Sequence, residues 1–213
     1  RISGRCHYIW RITMKTIDLC GTWSGKCILK DKTDFDFDGT VPGSAINDLI
    51  NAGRLPKEIF FGNNADKVLD FESADYIYKK NFEFFGEYKK TVLRFERLDT
   101  YADVYLNGVK LGTLSNRFAR WTLDAKKALK VGRNEIRAVF KSSWLEGDRR
   151  HAALGRVFPM SNVPWAKNQA LIRKPACHAG WDWGPAQMTT GFCGPVKLIA
   201  HDTAKIEYVY TSQ

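Results

Sequence analysis

Short segments with a two-residue hydrophobic period, each closed by turn residues, constrain this chain more than any other feature. Between Thr91 and Leu98, Leu93 and Phe95 point one way and Arg94 and Glu96 the other, the alternation of a half-buried strand. Tyr101 to Leu106 repeats it, with Ala102, Val104 and Leu106 on one face, and Asn107-Gly108 follows. That dipeptide supplies the positive φ angles of a tight hairpin turn. Glu135 to Phe140 sets Ile136, Ala138 and Phe140 against charged or exposed neighbours. The same reading predicts strands over Lys26–Lys30, Tyr76–Phe85, Phe118–Leu123, Gly194–Ala200 and Ile206–Tyr210. Strands joined by hairpins rather than long helices predict an all-β antiparallel sandwich.

Helices are few in this pattern. Ser44 is a good N-cap for Ala45–Ala52, where Ile46, Leu49 and Ile50 share a face and Gly53 sits at the stop. Trp144–Leu154 reads as a second short helix, and Ala125–Leu129 as a single turn. Asp31–Gly39 is polar and predicts a turn-rich connection. The stretch after Leu154 to Ala170 predicts a long loop, and long loops in compact domains are usually functional or disordered. Arg1–Thr13 is basic, but Cys6, Trp10 and Arg11 stand where a signal peptide needs an apolar run. Residues 1–13 are therefore set apart as an extension, 14–203 as the sandwich domain, and 204–213 as a linker or the first strand of a following domain.

The formal net charge of +10 raises nucleic acid or an anionic membrane as a partner. The basic residues come as scattered doublets such as Lys79-Lys80 and Lys126-Lys127, without a basic helix, zinc-finger spacing or aromatic RNA motif. A solvated basic surface is the better reading, with neither nucleic acid nor membrane as partner. No apolar stretch approaches the length of a bilayer span. The five cysteines are odd in number and lack a C-x-x-C pair. They predict reduced thiols in a cytoplasmic setting, with no metal and no cofactor.

Chemistry concentrates in Arg173-Lys-Pro-Ala-Cys-His178-Ala-Gly-Trp181-Asp182-Trp183-Gly-Pro185. Two indoles flank one carboxylate. Indole faces match the C–H faces of a pyranose, and a carboxylate can accept hydrogen bonds from two neighbouring sugar hydroxyls. The other reading of the same residues buries both indoles in a core and makes Asp182 a turn cap. His178 and Cys177 lack further ligands at metal spacing.

This cluster resembles the signature of β-mannosidases of glycoside hydrolase family 2. Val41-Pro-Gly-Ser44 with its helix, Leu98-Asp-Thr-Tyr-Ala-Asp-Val-Tyr-Leu-Asn-Gly108, Gly132-Arg-Asn-Glu-Ile136 and Gly191–Leu198 are similar to the same family's amino-terminal domain, so the resemblance covers about residues 17 to 200. The Val-Pro-Gly and Tyr-Leu-Asn-Gly elements are shared with β-galactosidases and β-glucuronidases, whereas Gly-Trp-Asp-Trp-Gly-Pro selects β-mannosidase. The resemblance implies a jelly-roll sandwich of the galactose-binding-like type. It also implies a (β/α)₈ catalytic barrel as partner and a mannose-containing saccharide as ligand. Trp181, Asp182 and Trp183 would help hold the terminal mannose, with Arg173 and His178 as supporting neighbours.

The same resemblance predicts no catalytic residue in this chain. A retaining glycosidase needs two carboxylates about 5 Å apart, which the family takes from the barrel, and 213 residues do not hold a barrel after a sandwich. Asn134-Glu135 looks like the family's acid/base pair, but its setting of turn and alternating strand assigns it to the sandwich. Phe71 stands near the place where the family carries a Trp. Two rival functions remain open: a carbohydrate-binding module acting alone, and a docking domain that binds no sugar.

Overall fold

The computed structural model describes residues 14–30, 32–155, 168–204, 206 and 208–213. Residues 1–13 and much of the predicted loop before Ala170 lie outside the described residues. One sheet joins β1 (Met14–Asp18), β10 (Val196–His201), β5 (Lys90–Phe95) and β8 (Trp121–Asp124), in that order. The other runs β3 (Phe35–Val41), β2 (Gly21–Ile28), β4 (Asp75–Phe84), β9 (Gly132–Lys141), β6 (Tyr101–Leu106) and β7 (Val109–Leu114). All pairings are antiparallel. Side chains from both sheets share one buried core, including Leu93, Phe95 and Leu198 from the first and Tyr78, Val104 and Phe140 from the second. The molecule is a β-sandwich, as the alternation predicted.

The hairpin forms where Asn107-Gly108 placed it. Leu106 pairs with Val109, and both turn residues have positive φ, 50° and 83°. Asn107 also donates from its side-chain amide to Ala128 O and Asn134 Oδ1, at 2.8 and 2.7 Å. Asn134 in turn ties down Lys130 and Gly132. Asn134 is thus a buried structural amide, and Glu135 stands in β9 opposite Asn81.

Three sequence expectations are corrected. Asp31–Gly39 contains β3: Phe37, Gly39 and Val41 face inward while Asp36, Asp38 and Thr40 face out. The polar residues that suggested a turn are the solvent face of an edge strand, where charge also discourages further pairing. Ile206–Tyr210 is not a strand in its described residues, whose side chains are largely exposed; the alternation there has no sheet to serve. The strand predicted from Lys26 is β2 and begins earlier, at Gly21, where Trp23 and Cys27 both point into the core.

Two α-helices are present among the described residues, α1 (Ala45–Asn51) and α2 (Ser143–Leu154), capped by Ser44 and Ser142. Among the described residues, three short 3₁₀ segments were not foreseen: Asn64–Phe71, Gln169–Leu171 and Ala176–Ala179. Phe71 closes the first of them and meets Phe35 edge-on, with centroids 6.3 Å apart. Helix α1 is fastened to the sheet by Asp48, whose buried carboxylate accepts from Tyr78 OH at 2.7 Å and from Thr40 N–H at 2.9 Å. Burial raises the Asp48 carboxyl above its ordinary range, against those two bonds.

Phe192 sits at the centre of the aromatic core. Its ring lies 4.9 Å from Trp23, 5.1 Å from Phe140, 5.8 Å from Tyr78 and 6.1 Å from Phe95. It therefore anchors the end of the segment that carries the candidate site. Cys20, Cys27, Cys177 and Cys193 are free thiols. No helix of the described residues is long and apolar enough to cross a membrane.

Candidate saccharide-contact loop

Residues 172–192 form a loop laid across one end of the sandwich. Its carboxyl end is clamped by backbone: Gly43 N–H donates to Phe192 O at 2.8 Å and Ala45 N–H to Thr190 O at 2.7 Å. Asp99 and Gly191 exchange both N–H···O bonds, at 2.8 and 2.9 Å. Gly43 of the Val-Pro-Gly-Ser run and Ala45, the first residue of α1, thus present the two amides that hold the loop. Gly191 has φ +139° and passes so close that a Cβ would lie 2.9 Å from Gly43 O. Only glycine fits there without moving one of the two segments.

Trp181 and Gly184 bond each other in both directions, at 3.2 and 3.0 Å, leaving Asp182 and Trp183 at the tip of a turn. Trp181 is 49% exposed and Trp183 86%. Asp182 is also exposed, and its carboxylate has no hydrogen-bond or ion-pair partner among the described residues. The core reading of this cluster therefore fails. The indoles are displayed rather than packed, and among the described residues the carboxylate caps no amide.

The turn stands on a buried polar pin that the sequence did not reveal. Asp99 is fully buried. Thr189 Oγ1 donates to its Oδ2 at 2.5 Å, and Thr100 Oγ1 donates to Oδ1. Lys174 Nζ lies 3.2 Å from Asp99 Oδ1 and donates to Thr189 O at 2.6 Å. Arg117 Nε is 3.4 Å from Asp99 Oδ2. Burial draws the Lys174 ammonium below its usual pKa, while Asp99 holds it up. Beneath the loop, Tyr101, Ile172, Ala179 and Met188 make a small second core, with Trp144 packed beside it.

His178 belongs to this pin rather than to the displayed tip. Its Nδ1 is 3.0 Å from Thr189 Oγ1 and 3.8 Å from Asp99 Oδ2. The threonine has one hydroxyl proton, already given to Asp99, so the imidazole Nδ1–H is the donor. The His178 carbonyl accepts from Gln187 N–H at 2.8 Å, closing the loop on itself. Burial, with Lys174 and Arg117 nearby, pushes His178 down to about 4 against the opposing pull of Asp99. It is neutral at pH 7. Arg173 has an exposed side chain and contributes its backbone carbonyl, which accepts from Arg117 N–H at 3.0 Å.

Of the five residues singled out in the sequence, the structure displays Trp181, Asp182 and Trp183 together. It sets His178, partly buried, below them and uses the backbone of Arg173. Asp99, Lys174, Thr189 and Arg117 were missed as a set. Asp99 and Lys174 lay inside quoted motifs, but nothing in sequence spacing joins positions as far apart as Asp99 and Thr189, 90 residues along the chain. Among the described residues no group of three or more His, Cys, Asp or Glu is placed to hold a metal ion.

The family model for the glycosyl hydrolase 2 galactose-binding domain-like domain matches residues 23–196. A probable β-mannosidase of Caenorhabditis elegans is 30% identical over 193 residues, spanning 85% of this chain and 21% of that protein. The β-mannosidase of Bos taurus is 28% identical over 200 residues, 91% of this chain and 22% of its own length. Among solved structures, the β-D-mannosidase from Dictyoglomus thermophilum superposes with a TM-score of 0.82 at 31% identity, over 91% of this chain and 23% of that one. A β-glucuronidase from Ruminococcus gnavus, at 16% identity and a TM-score of 0.54, shares the fold alone. The chain thus spans about a fifth of the length of the curated relatives it matches.

Proposed function

The chain belongs to the glycosyl hydrolase 2 galactose-binding domain-like family, and from that premise we propose that it serves as the non-catalytic, amino-terminal domain of a β-mannosidase-like enzyme. It supplies the Trp181-Asp182-Trp183 turn to a sugar pocket whose catalytic carboxylates come from a partner (β/α)₈ domain. One observation carries the reading: a carboxylate without a partner among the described residues is displayed between two exposed indoles, on a turn fixed from below by Asp99, Lys174 and Thr189.

In that role Asp182 accepts from adjacent hydroxyls of a terminal β-mannoside, and an indole covers the C–H face of the ring. A carboxylate–hydroxyl bond is directional and charge-assisted, so it fixes which hydroxyls face the turn. A rigid base matters because misplacement by about 1 Å in a positioning group costs orders of magnitude in rate. His178 and Arg173 act through the base of the loop and do not touch the sugar.

The test is a graft in which this chain replaces the matched segment of the Dictyoglomus thermophilum enzyme. The graft is expected to hydrolyse an aryl β-mannoside, while the chain alone hydrolyses none. Hydrolysis by the chain alone, or a folded but inert graft, would overturn the proposal.

A further inference from the structure

The basic surplus of the chain is concentrated beside the loop. Arg94 Nε lies 3.0 Å and Arg120 Nε 2.7 Å from opposite oxygens of Glu96. Arg117 and Lys174 share Asp99 in the same way, at 3.4 and 3.2 Å. Arg97 and Arg173 are exposed, and their guanidinium groups have no ion-pair or hydrogen-bond partner among the described residues. Six cations thus gather around two carboxylates, Glu96 and Asp99, in a chain whose whole net charge is +10.

This patch borders both ends of the loop. At the amino end, Arg117 N–H donates to Arg173 O. At the carboxyl end, a groove of about 340 Å³ runs along Cys193 and Pro195, just past Phe192, with Glu96, Arg97, Phe118 and Arg120 lining the rest of it. Phe118 is 64% exposed, a large apolar ring standing among guanidinium groups. Arg and aromatic side chains are enriched in the cores of protein–protein interfaces. Arg suits such a place because its charge is spread over a planar, weakly hydrated fork.

Charge also decides the sign of the partner. On the function proposed above, Asp182 brings a third carboxylate to a pocket that already holds two. Like charges in one water-poor site repel, and cations at the root of the turn offset that repulsion. An acidic rim on the partner is drawn to the patch, whereas a basic rim is repelled.

We propose that the Phe118 groove is the docking surface for an acidic rim of the catalytic (β/α)₈ domain, with Phe118 as its apolar anchor and Arg97, Arg120 and Arg173 as its charged frame. Docking there seats the root of the turn on the partner while the tip enters the pocket. The identity of the partner rests on the function proposed above.

The experiment is hydrogen–deuterium exchange of the Dictyoglomus thermophilum graft, read by mass spectrometry without substrate, against the 213-residue chain alone. In the graft, the peptide covering residues 115–121 is expected to exchange at least about tenfold more slowly than in the free chain, as a covered loop does. Arg97→Glu combined with Arg173→Glu should remove that slowing at about 0.01 M salt and restore it at about 1 M, where screening cuts the reach of a charge from about 30 Å to about 3 Å. The unreversed graft should show the opposite salt dependence, and Phe118→Ala should lose the slowing at both salts. All three substitutions replace exposed side chains, and unchanged exchange in β4 and β9 checks the fold. A 115–121 peptide unprotected in a folded graft, or protection that charge reversal strengthens or leaves alone, would overturn the proposal. So would slowing of that peptide in the free chain, on raising its concentration or on adding single-stranded DNA at about 0.15 M salt, because the occupant would then be a second copy or a polyanion. A graft that is protected yet hydrolyses nothing would sink the proposed function and leave this surface standing.

Discussion

Asp99 exposes no surface, yet Thr100, Thr189, Lys174 and Arg117 all turn polar atoms toward it. Removing one partner of such a buried pair leaves an uncompensated charge, so Lys174→Met should cost roughly 3 kcal/mol or more, measured by urea unfolding. Trp183→Ala, at an exposed tip, should stay within about 0.5 kcal/mol in the same assay. The pin also carries a pH signature. His178 lies near 4 in the fold against an ordinary 6.5, so its contribution is complete above pH 6.5 and is lost as pH falls through that window. That loss is at most about 3 kcal/mol. Glu72 does the reverse: lifted from 4.5 to about 7, it favours folding below 4.5 and loses that contribution as pH rises through 7. Between about pH 4.5 and 6.5 the two slopes oppose each other. Glu72→Gln should therefore unmask a stability loss on acidification that wild type hides. Urea midpoints across that range check it, and a Glu72→Gln profile parallel to wild type contradicts the assignment.

At the scale of elements, the legible parts were those whose partner lies nearby in sequence. Asn107-Gly108 announced the β6–β7 hairpin because the turn's φ requirement is met by the two residues themselves. Ser44 announced α1 for the same reason. Strand β3 was misread because Asp36 and Asp38 are polar on any scale, and only the phase of Phe35, Phe37 and Val41 shows that they share an outer face. The loop at 172–192 was legible as chemistry but not as architecture. Its indoles and carboxylate stand together in the chain, whereas its clamp reaches to Gly43, Ala45 and Asp99. That clamp yields a prediction: Gly191→Ala should cost about 2 kcal/mol or more, through a strained φ and a Cβ against Gly43 O. Native-state hydrogen exchange should show the Ala45 and Asp99 amides opening faster in the variant, with the β4–β9 amides little changed.

Taken as one body, the described residues form a two-sheet platform in which Phe192 belongs to both parts, its ring in the aromatic core and its carbonyl in the clamp. The core and the site are therefore mechanically continuous. Phe192→Ala should destabilise by about 3–5 kcal/mol and loosen the loop with it. What the platform presents, a carboxylate between two solvent-facing indoles, makes sense as a contribution to a pocket that another domain completes. The most direct test is kcat/KM for an aryl β-mannoside in the Dictyoglomus graft, with and without Asp182→Ala. Loss of a charged hydrogen-bond acceptor to two hydroxyls predicts a fall of about a hundredfold or more with the urea midpoint unchanged. Equal kcat/KM in the two proteins would mean that the turn does not touch the substrate, and the central claim would be wrong.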